Sequence, residues 1–126
     1  MSLHERVRHV LNSLCEGIGV IEWEDHDFEI WLDSLPLFVR TYESPPAIAV
    51  YQGVAHSLTQ SLELSKLLNH RNATYCVFRA LWEDDCVYLR ADIPAEPFSA
   101  RQLQFILEGF EAEAEALAVD LSDFAR

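Results

Sequence analysis

The stretch Thr74-Tyr75-Cys76-Val77-Phe78-Arg79-Ala80-Leu81-Trp82, followed by Asp84-Asp85 and then Val87-Tyr88-Leu89-Arg90-Ala91-Asp92-Ile93, reads as a β-hairpin. Two runs rich in β-branched and aromatic residues flank a short acidic turn, and pairing Trp82 with Val87 sets the register. That register aligns Phe78, Ala80 and Trp82 with Ala91, Leu89 and Val87 on one apolar face. The other face pairs Val77 with Asp92, Arg79 with Arg90 and Leu81 with Tyr88. A slip of one residue would exchange the two faces, so the apolar side is the core side. Arg79 is thereby placed across from Arg90, and like charges opposite each other on a sheet are destabilising unless something compensates.

Working outward, the same period of two recurs upstream. Ile21 and Trp23 oppose Glu22 and Glu24, then Phe28, Ile30 and Leu32 oppose Glu29 and Asp33, which predicts two strands about a turn at Asp25-His26-Asp27. Leu37 to Tyr42 and Ala47 to Gly53 are further extended segments separated by Ser44-Pro45-Pro46. Because proline donates no ladder hydrogen bond, one of them is expected at a sheet edge, or both as one split strand.

Helix starts carry a repeated signature, a Ser whose side chain caps an amide three residues on, with Glu or Gln there to reach back. Ser2 with Glu5, Ser57 with Gln60 and Ser99 with Gln102 fit it. The first helix, near Ser2 to Glu16, presents Leu3, Val7, Val10, Leu11 and Leu14 and ends near Gly17. The second, near Leu58 to His70, presents Leu58, Leu62, Leu67 and Leu68. The third runs from Ala100 towards Phe124 with Leu103, Ile106, Leu107, Phe110, Ala114, Leu117, Leu121 and Phe124 at spacings of three and four. Phe98 and Leu103 flank its cap as a hydrophobic staple. Its opposite face carries Glu108, Glu111, Glu113, Glu115, Asp120 and Asp123, with no base between Arg101 and Arg126. The order helix, strand, strand, strand, helix, strand, strand, helix is an α+β fold with a mostly antiparallel sheet, and residues 1–126 are expected to form one domain.

Composition narrows function. Of 126 residues 50% are hydrophobic, enough to bury a core without metal or disulfide, and 21 acidic against 9 basic residues give a net charge of −12. Nucleic acid and anionic membrane would be repelled, and no apolar run approaches the roughly 20 residues of a membrane helix. Cys15, Cys76 and Cys86 are widely spaced and read as reduced thiols of a cytoplasmic protein, and the N-terminus lacks the pattern of an export signal. His4, His9, His26, His56 and His70 are scattered and read as turn or surface residues, so no metal site is expected. No Gly-x-Ser-x-Gly, phosphate loop or calcium loop occurs, so neither catalysis nor a cofactor is expected.

What remains suits protein partners. Trp31 falls between Glu29 and Asp33, and Leu81 and Tyr88 lie beside Arg79 and Arg90 on the outer hairpin face. Aromatic residues and Arg most often anchor interfaces. The competing reading covers Trp31 with a helix and bonds both arginines to nearby carboxylates such as Asp92.

The segment Leu67-Leu68-Asn69-His70-Arg71-Asn72-Ala73, the hairpin with Asp84-Asp85 at its tip, Leu89-Arg90-Ala91-Asp92-Ile93-Pro94 and the long final helix resemble the type III secretion chaperone-like superfamily, above all YbjN-like proteins and class I secretion chaperones. The resemblance implies a cytoplasmic homodimer without enzymatic activity that holds segments of a client protein. A regulatory or adaptor domain of the same fold, binding a folded partner, is the alternative; a small-molecule-binding protein or enzyme is the third. The Arg79 and Arg90 pair is no part of that resemblance; its expected role is either to meet acidic groups of a partner subunit or to anchor a client.

Overall fold

In the computed structural model, residues 1–23, 27–31, 35–75 and 77–124 are described. The chain runs α1 (Leu3–Leu14), β1 (Val20–Trp23), β2 (Asp27–Trp31), β3 (Pro36–Glu43), β4 (Pro46–Ala55), α2 (Leu62–Thr74), β5 (Phe78–Glu83), β6 (Cys86–Pro94) and α3 (Ala100–Leu121), with a 3-10 turn at Ser122–Phe124. The described strands form one antiparallel sheet in the order β1-β2-β3-β4-β6-β5. The fold is α+β, and the third expected strand is two.

The β5–β6 hairpin has the expected register, with Trp82 opposite Val87 and Arg79 opposite Arg90. Its tip holds Asp84 and Asp85 at φ 52° and 63°, the left-handed pair of a type I′ turn, whose twist matches that of the strands it joins. Val77 lies outside β5, so its expected pairing with Asp92 is not made.

Neither β3 nor β4 is an edge strand. The prolines lie where ladder donors are dispensable: Pro45 is at the tip of the β3–β4 hairpin, and Pro46 begins β4 opposite Glu43. The expected turn at Asp25-His26-Asp27 and the extension of β2 through Leu32 and Asp33 fall largely outside the described residues. Asp27 itself is in β2, paired with Trp23.

Two caps stand as expected: Ser2 Oγ accepts from the Glu5 amide and Ser99 Oγ from the Gln102 amide. The second helix differs. Ser57 is in the left-handed region and the Leu58 amide donates to the Asp85 carbonyl, so residues 57–60 cross the tip of the β5–β6 hairpin before Ser61 caps the Leu64 amide. Leu58 is fully buried ahead of the helix and Leu62 is exposed. Ser61 has Leu64 at the third helical position, not Glu or Gln, and so lacked the signature that the other caps share.

All three helices pack on one face of the sheet. Leu3, Val7 and Leu11 of α1, Leu64 and Leu68 of α2, and Leu103, Ile106, Phe110, Ala114, Leu117 and Leu121 of α3 meet Phe28, Ile30, Leu37, Val39, Ile48, Val50, Ala80, Val87, Leu89, Ala91 and Ile93. Leu14, expected on the stripe of α1, is exposed. Phe110 is 1% exposed and meets Phe78 edge to face, with ring centroids 5.6 Å apart.

His4 is not a surface residue. Its ring stacks on Phe28 at 4.5 Å, and Nδ1 lies 3.0 Å from Thr41 Oγ1. Beside it Glu22 takes a two-pronged contact from Arg8, at 2.6 and 2.9 Å, and lies 3.4 Å from His4 Nε2. The Arg8 hydrogen bonds, with smaller help from His4, lower the Glu22 carboxyl to about 2 from an ordinary 4.5.

Two expectations follow. Phe110→Ala should destabilise the protein by about 3–5 kcal/mol in urea melts, the cost of emptying an aromatic site in a close-packed core. Because the Glu22 carboxyl is lowered on folding, its stabilising contribution is complete above about 4.5 and is lost as pH falls from there towards 2. Urea melts across that window should show a steeper loss in the wild type than in Glu22→Gln.

Candidate functional site

With every helix on one face, strand alternation delivers the opposite face to solvent. Cross-strand partners place Ile21, Glu29, Phe38, Tyr51, Arg90 and Arg79 in one row across the sheet. Trp23, Asp27, Arg40, Ala49 and Asp92 form the next. Gly53, Tyr88 and Leu81 make a third on the hairpin side. Trp23 is 53% exposed, Trp31 46%, Tyr42 39% and Leu81 37%, open apolar side chains that make this face the candidate binding surface.

An open groove of about 390 Å³ runs over this face, lined by Arg40, Tyr42, Tyr51, Leu81, Glu83, Asp84, Tyr88 and Arg90. The outward residues of β4 include Ala47, Ala49 and Gly53, whose small size leaves the longer side chains of β3 and β6 standing as walls. Phe38 stacks on Tyr51 with centroids 5.4 Å apart. Burial pushes the phenols of Tyr51 and Tyr88 up, so both stay neutral hydroxyls at neutral pH.

Among the described residues Arg40, Arg79 and Arg90 lie on this face, and their neutralisation is uneven. Arg40 donates to both oxygens of Asp27 at 2.7 Å. Arg90 Nε lies 3.0 and 3.1 Å from the two Asp92 oxygens, and this hydrogen bonding raises its guanidinium pKa. Arg79 reaches the same carboxylate only at 3.9 Å and is 64% exposed. The broken rule is therefore compensated by one carboxylate shared between two cations.

The structure brings Arg79, Leu81, Tyr88 and Arg90 together, as the sequence predicts. Trp31 shares the face, its Nε1 donating to Glu29 Oε2 at 2.5 Å, but stands on β2, four strands from β5 and about 19 Å away at ordinary strand spacing. No described helix covers it. Sequence reasoning missed Arg40, Tyr42 and Tyr51. The signal was present, since Phe38, Arg40 and Tyr42 alternate with Leu37, Val39 and Thr41, and Tyr51 flanks the buried Val50.

The sheet edges differ in availability. On β5, Asn72 of α2 accepts from the Ala80 amide at 2.7 Å and donates to the Ala80 carbonyl at 3.0 Å, occupying the outward backbone groups there. Arg71 next to it pairs with Asp120 and donates to the Ala116 carbonyl, docking α2 onto α3. The Asn69-His70-Arg71-Asn72 segment thus joins α2 to both a sheet edge and the long helix. At the other edge β1 offers four residues, with Ile21 and Trp23 exposed.

Among the described residues no group of three or more His, Cys, Asp or Glu is placed to hold a metal, and no helix is long and apolar enough to cross a membrane. A family model described as T3SS (YopN, CesT) and YbjN peptide-binding chaperone 1, TY-Chap1, matches residues 1–125. The chain belongs to this family. No curated protein matches it. TY-Chap1 membership agrees with the element order and with the resemblance carried by the α2 segment and the last hairpin.

Asn72→Ala should leave the Ala80 amide and carbonyl without their partner and destabilise the protein by about 1–3 kcal/mol in urea melts. The freed β5 edge should also add concentration-dependent association on size exclusion.

Proposed function

We propose that this chain is a non-catalytic peptide-binding chaperone that holds an extended segment of a client protein on the outer sheet face. In this reading residues 1–126 act as one domain, within a cytoplasmic homodimer. The observation that carries it is a sheet face free of described helices, on which open aromatic and aliphatic side chains alternate with arginines. Family membership supports peptide binding. Trp31 at one side and Arg79, Leu81, Tyr88 and Arg90 at the other are the proposed contacts.

The physics suits such a role. An extended segment presents alternate side chains to one side, matching the rows of a pleated face, and pays little penalty for leaving its other side in water. A net charge of −12 per chain keeps such a complex soluble while apolar client surface is being held.

The test is capture of partners from native lysate, light scattering of the eluted complex, and titration of the recovered client's segment as a synthetic peptide. The expected result is a two-chain assembly that binds the isolated, unfolded segment, with Leu81→Ser/Tyr88→Ser weakening it about tenfold, as loss of a buried apolar anchor does. A partner bound only when folded would favour an adaptor. A monomer that binds no segment overturns the reading.

A further inference from the structure

Resting on that reading, we propose that the held segment has the pattern acidic-x-apolar-x-basic, in either chain direction, with its carboxylate seated at Arg79 and Arg90. The outward residues of β5 are Arg79, Leu81 and Glu83, which read positive, apolar, negative at two-residue intervals. Beside them on β6, Arg90 and Tyr88 repeat the first two positions in register. Asp84 extends the negative end at the groove wall.

An extended segment lying along β5 has the same two-residue period, about 6.6–7 Å between side chains on one side. Its carboxylate would supply what the pair lacks, since Asp92 serves Arg90 closely and Arg79 only at 3.9 Å. An apolar side chain two residues away would rest on Leu81 and Tyr88, and a base two further would meet Glu83 and Asp84. A base at the first position would face two arginines, and an acid at the last would face two carboxylates.

Long-range and local electrostatics predict opposite preferences, which makes the proposal sharp. The whole chain, at −12, attracts basic segments irrespective of pattern. The local pattern demands an acid at one position. Surface fields are screened over about 8 Å at physiological salt, whereas contact pairing with a guanidinium persists.

The experiment uses two fluorescein-labelled nine-residue peptides, Thr-Thr-Glu-Thr-Leu-Thr-Lys-Thr-Thr and its Glu→Lys counterpart, titrated by anisotropy at physiological salt. The wild-type protein should bind the Glu peptide about tenfold more tightly, the scale of a charge-assisted hydrogen bond. Arg79→Glu/Arg90→Glu should reverse the order, and Arg79→Lys/Arg90→Lys should keep it; circular dichroism melts check that both variants fold. Equal binding, or tighter binding of the Lys peptide by the wild type, overturns the acidic anchor while leaving the face as a peptide site. Absence of binding by both peptides at millimolar concentration, with the protein folded, overturns the face itself.

Discussion

The structure depends on the one-sidedness of its sheet. Alternation at period two along β2, β3, β4, β6 and β5 sends Phe28, Ile30, Val39, Val50, Leu89 and Ala80 to the same side, and burial of that side is the dominant favourable term available to a chain of this size. The apolar stripes of α1 and α3 can be buried only there. Once three helices compete for one face, the other must do without, and its exposed tryptophans follow from topology as much as from composition.

Local rules that agreed with tertiary packing were legible in the sequence. The β5–β6 register could be read because both strands alternate cleanly around a two-residue turn, which selects one pairing, and because a one-residue slip would put the apolar residues of the two strands on opposite sides. The caps at Ser2 and Ser99 were legible through their Glu and Gln partners. Ser61 was not, since its cap stands alone and Leu58 is buried as part of a crossing segment that no periodicity describes. Likewise Pro45 and Pro46 suggested an edge, yet the sheet order is set by long-range pairing of β4 with β6, which single-strand patterns do not encode. His4 was misread for a related reason: its burial depends on Phe28, Thr41 and Glu22, all distant in sequence.

At the candidate face the hairpin part was readable. Arg79, Leu81, Tyr88 and Arg90 followed from hairpin register alone. Alternation already turns Arg40, Tyr42 and Tyr51 outward, but their place beside the hairpin follows only once β3 and β4 are known to lie inside the sheet, between the hairpin and the β1–β2 pair. Asn72 belongs to neither group: it lies on a helix and occupies the outward backbone groups of Ala80 on the edge nearest the groove.

That contact bears on how the face would hold a segment under the proposed function. A segment added to β5 as a further strand would compete with Asn72 for the Ala80 amide and carbonyl, exchanging two intramolecular hydrogen bonds for two intermolecular ones at little net gain. A segment lying across the outer rows displaces only water and the partial claim of Arg79 on Asp92. Affinity on that face must come from side chains, because the backbone groups of β6, interior to the sheet, are taken by β4 and β5. Side-chain recognition carries pattern, whereas backbone pairing is largely indifferent to sequence. A face that carries charge in order along one strand, beside an edge whose Ala80 groups are already bonded, would on the proposed reading discriminate among segments by their side chains.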